Sequence, residues 1–98
     1  MSELASEIEV LVDAAVLGEQ VDSFMKSDVG RYLLELAAND QARGYEALKT
    51  VDAQDARAVY AAQNMVWRAE SIAEWLGSAV SAGLRATMVL ESREDDIG

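Results

Sequence analysis

Residues 58–90 read AVYAAQNMVWRAESIAEWLGSAVSAGLRATMVL. Within them Ala58, Ala62, Met65, Ala69, Ile72, Leu76, Ala79, Gly83, Ala86 and Leu90 recur at alternating steps of four and three. That spacing holds small and apolar side chains on one side of a helix, as the seam of a helix pair does. Nothing in the stretch breaks a helix, and the whole chain contains no Pro. The pattern predicts a helix over 53–90, about 57 Å long at ~1.5 Å per residue. A helix of that length with no β-type alternation beside it makes the fold all-α.

Working outward, Asp52 reads as the cap of this helix, with Asp55 three residues on as a variant capping box. Upstream, Leu34, Ala37, Gln41, Gly44, Leu48 and Val51 form a second seam over a helix at 29–51. The two seams face each other if the chain turns near Asp52. Leu48 then meets Ala58, Gly44 meets Ala62, Gln41 meets Met65, Ala37 meets Ala69 and Leu34 meets Ile72. A mid-helix Gly such as Gly44 costs about 1 kcal/mol against Ala, so it implies a packing reason, the close approach of another helix. Gln63 and Asn64 lie near Gln41 in this register, and a buried amide pair there would fix it.

Ser27-Asp28 offers an N-cap for the second helix. Before it, Leu4, Ile8, Leu11 and Ala15 define a first helix over 1–17, with Gly18 as its stop. Residues 19–26 read as a short helical turn, and 91–98 as a fraying acidic tail. The expectation is one helical domain over 1–98, a long antiparallel hairpin with a packed N-terminal helix. Leu76, Val80, Leu84, Met88 and Leu90 extend beyond the reach of the 29–51 helix. The first helix or another subunit must cover them.

The chain has 98 residues, 18 Asp+Glu against 8 Lys+Arg, and no His or Cys. That composition excludes a disulfide framework, a thiol nucleophile, a Ser-His-Asp triad and His- or Cys-based metal sites. A net charge of −10 argues against nucleic-acid binding through a basic surface. The acidic start, Met1 to Glu7, is unlike a signal peptide, and no run approaches the ~18 apolar residues of a membrane span. The charge is uneven: 31–90 hold seven acids and six bases, while 1–30 and 91–98 carry −6 and −3.

Several constellations bear on function. Glu70 and Glu74 stand i, i+4, but a carboxylate di-iron bundle also needs Glu-x-x-His, so a solvated face beside Arg68 is the better reading. Arg31-Tyr32 after Gly30 sits at a helix start of the kind that binds anions, though an ordinary first turn explains it as well. Trp75-Leu76-Gly77 shares W-x-G with small secreted helical hairpins, whose motif lies at a turn; here it lies inside the heptad seam. Trp67 and Trp75 flank that seam. The reading favours their burial within the chain, and exposure of two of only six aromatics would instead mark an interface. The candidate interaction residues are Trp67, Trp75, Leu76, Val80, Leu84, Met88 and Leu90. No catalytic, metal or cofactor residues are expected.

From Phe24 the chain resembles a group of small helical proteins of tailed bacteriophages and prophages. The likeness runs through Phe24-Met25-Lys26-Ser27-Asp28-Val29-Gly30-Arg31-Tyr32-Leu33-Leu34, Ala47-Leu48, Val51-Asp52, Gln63-Asn64, Arg68-Ala69-Glu70 and Trp75-Leu76, roughly residues 24–90. Where the group often has Pro after the turn Asp, this chain has Ala53. The resemblance brings no catalytic or ligand motif. It implies a non-enzymatic phage protein, a virion or morphogenesis component, located in the host cytoplasm during infection and then in the particle. The distal seam that the 29–51 helix cannot cover points to the chain itself or other phage proteins as partners, and the lack of a long apolar run points away from a membrane. The alternatives are an acidic inhibitor of a host enzyme or defence complex, and a small-ligand-binding helical oligomer.

Overall fold

A computed structural model describes residues 2–97 and is all-α: α1 (Ser2–Lys26), α2 (Asp28–Thr50) and α3 (Ala56–Ile97). Within the 98 residues read as one helical domain, packing separates two compact units. One is Ser27–Trp75; the other is formed by α1 and the part of α3 from Leu76 onward.

In the Ser27–Trp75 unit, α2 and the first half of α3 form an antiparallel hairpin. Ser27 caps α2 as expected: its Oγ accepts a hydrogen bond from the Gly30 backbone N–H at 3.0 Å. Gly30 is buried and its N–H is taken by the cap, so the helix start works as a cap and a packing point. The turn runs differently from expectation. Asp52 accepts from the Gln54 N–H at 3.0 Å inside the turn, and Asp55 accepts from the Ala58 N–H at 3.2 Å. Asp55 is therefore the cap, and α3 begins at Ala56, not Ala53.

The hairpin seam follows the expected register. Gly44 packs on Ala62 and Val66: a Cβ placed on it would lie 2.6 Å from Val66 Cγ2 and 3.2 Å from the Ala62 carbonyl oxygen. Ala37, Ala62, Val66 and Ala69 are buried, and no large side chain among the described residues is wholly buried. The core of this unit is thus a line of small contacts, which lets the two backbones come close.

In the other unit, α1 packs against α3. The first helix does not stop at Gly18; it continues to Lys26 and absorbs the segment read as a separate turn. Gly18 lies against Gly83, so close that a Cβ on Gly18 would sit 2.8 Å from Gly83 Cα and 3.1 Å from the Ala79 carbonyl oxygen. A Cβ on Gly83 would meet the Ala14 carbonyl oxygen at 2.9 Å. Gly18 continues the expected seam three residues after Ala15; Leu11 and Ala15 are half-buried beside it, whereas Leu4 and Ile8 remain exposed. At the far end α3 does not stop at Leu90 but runs on to Ile97. Glu and Arg are good helix formers, and Arg93 pairs with Glu7 of α1 at 3.4 Å.

Candidate interaction surfaces

A two-helix contact covers one stripe of each helix and leaves the flanks open. In the Ser27–Trp75 unit one of those flanks is apolar. Trp67 is 55% exposed and Trp75 71%, so the expected burial of the two tryptophans is corrected. They sit seven and fifteen residues after Tyr60, which is also exposed. At 100° per residue that stripe is turned well away from Ala62 and Ala69, the α3 residues buried in the unit.

Trp67 and Trp75, with Asn64, Arg68, Ser71 and Ile72, line a hollow of about 490 Å³. A second hollow of about 350 Å³ lies between Leu33 and Leu36 of α2 and Ile72 of α3. Arg68 and Ile72 line both, so the two hollows form one strip. Sequence reasoning missed Leu33 and Leu36. The signal was there in Leu33-Leu34 and Leu36-Ala37, where an apolar residue stands just before each seam position.

The opposite flank of the hairpin is polar. Tyr45 Oη donates to Glu70 Oε1 at 2.6 Å, and Gln41 Nε2 donates to the same oxygen at 3.4 Å. Gln41 therefore spans the hairpin through Glu70 and not through an amide pair with Gln63 or Asn64. The bond to Glu70 raises the Tyr45 phenol above its ordinary 10.0, and repulsion between phenolate and carboxylate adds to the shift. Glu74 has no part in this cluster, and among the described residues no three Asp or Glu side chains gather as a metal site.

In the other unit, Leu84 and Met88 are 62% and 68% exposed, while Leu76, Val80 and Leu90 are half-buried. Val80 and Leu84 border a hollow of about 230 Å³ beside the Gly18–Gly83 contact, and Glu19 and Asp22 of α1 line it too. Val10, Val89 and Arg93 border another, shallower one. Among the described residues no helix is long and apolar enough to cross a membrane. No protein-family model, curated protein or solved structure matches this chain.

Proposed function

We propose that the protein works by protein–protein contact and not by catalysis, as a virion or morphogenesis component of a tailed bacteriophage. The observation that carries the contact reading is surplus surface. A 10.6 kDa monomer that buries its own apolar residues exposes about 5,500 Å² by the usual scaling. This chain exposes 7476 Å², and large apolar side chains from Leu4 to Val89 contribute to it. Exposed apolar side chains gathered in this way are the kind of surface that an interaction partner covers. The phage assignment is supported by the resemblance over residues 24–90. Mass spectrometry of purified particles tests it. Regular copy number in particles or in assembly intermediates is expected; absence from both contradicts the reading.

A further inference from the structure

We propose that the aromatic strip of the Ser27–Trp75 unit is the docking site for a second copy of this chain. The inference rests on the contact reading above and names the partner. Trp67, Trp75 and Ile72 from α3 and Leu33 and Leu36 from α2 meet around Arg68. Trp and Arg are the side chains that dominate interface energetics when they are desolvated together. The five apolar side chains are 41–71% exposed and so supply a large share of the ~800 Å² that each partner gives to a standard interface.

Charge selects this strip for self-contact. Ten acids and three bases lie outside Ser27–Trp75, a balance of −7, whereas that unit holds eight acids and five bases, −3. On the strip itself Asp40 is paired with Arg43, and Arg68 adds a positive charge. Two copies, each at −10, therefore meet here with the least repulsion. The competing hollow at Val80 and Leu84 carries Glu19 and Asp22, which two copies would bring together. A two-fold contact uses one patch twice, so a locally neutral apolar patch suits it.

Trp67 and Trp75 are the only tryptophans, so emission excited selectively at tryptophan reports on this strip alone. Sedimentation equilibrium and emission spectra are recorded together on the full chain over a concentration series. The expected result is a monomer-to-dimer rise in mass with a matching blue shift, both favoured by salt, which screens the acidic copies. Trp75→Asp changes an exposed side chain, so circular dichroism stays helical and dimer affinity falls at least about tenfold. Leu17→Asp, an exposed site on α1, leaves the affinity within about twofold.

A monomer at the highest concentration and salt overturns the proposal. So does a dimer that forms without a tryptophan shift, or one broken by Leu84→Asp and not by Trp75→Asp. A strict monomer that is nonetheless found in purified particles overturns self-docking alone and leaves the contact reading in place, with another phage protein as partner.

Discussion

In one unit Gly18 meets Gly83, backbone against backbone; in the other Gly44 meets the side chain of Val66 together with the backbone of Ala62 and Val66. Both bring two helices together through glycine, yet the surroundings differ. The hairpin adds a capped helix start at Ser27 and a Tyr45–Glu70–Gln41 cluster on its polar flank. The unit built on α1 adds the exposed Arg93–Glu7 pair and carries most of the net negative charge. Close approach alone therefore decides where the helices touch. The groups around the contact decide which open flank stays apolar and free of uncompensated charge. The hairpin places its apolar flank in the unit nearer neutrality, −3 against −7.

The largest effect is expected at the glycine–glycine contact. Gly83→Ala drives a Cβ into the backbone of α1, and overpacking of that kind costs about 1–3 kcal/mol. The gain in helix propensity, about 1 kcal/mol, offsets only part of it. Urea unfolding should show a lower midpoint, and amide exchange should rise in 2–26 first. An unchanged midpoint would remove the distinction between the two contacts. Gly77→Ala is the counterpart: nothing lies within 4 Å of its Cβ, so stability should rise by about 1 kcal/mol from propensity alone. A drop there would mean that Gly77 has an unseen packing role.

Smaller effects sharpen the picture of the hairpin. Ser27→Ala removes the cap of α2 and should cost about 1 kcal/mol in the same unfolding measurement. Tyr45 links stability to alkaline pH. Its folded pKa lies above the unfolded value of 10.0, so its contribution is complete below that pH and is lost as pH rises through the folded value. The advantage of the natural chain over Tyr45→Phe should shrink above pH 10.0, and a constant difference would contradict the bond to Glu70. Arg93→Met should change stability least, by less than about 1 kcal/mol, because its pair with Glu7 is exposed.

The sequence legibility of the two units differs for a physical reason. The heptad seam on α3 and the register of Gly44 on Ala62 were readable, because a seam spaced four and three leaves one arrangement for a short-looped hairpin. The α1 contact was not. Gly18 follows an apolar run and so reads as a helix stop, but a mid-helix Gly costs only about 1 kcal/mol, which tertiary contact readily outweighs. Ala14 and Gly18 on α1, and Ala79 and Gly83 on α3, each stand four apart. That matched spacing was the available signal for the contact. The tail ran on as helix because nothing in Glu91 to Asp96 breaks one. The two tryptophans lay in plain view in the sequence, but their exposure depended on how few helices cover α3, which spacing does not encode.

Hydrogen–deuterium exchange of the full chain, dilute and concentrated, tests the central claim most directly, since it compares the two units in one sample. On concentration, amides in 29–36 and 64–75 should gain protection while those in 8–18 and 79–90 stay unchanged. Protection gained in 79–90 instead, or in neither unit, would contradict the assignment of the hairpin's aromatic strip as the interface.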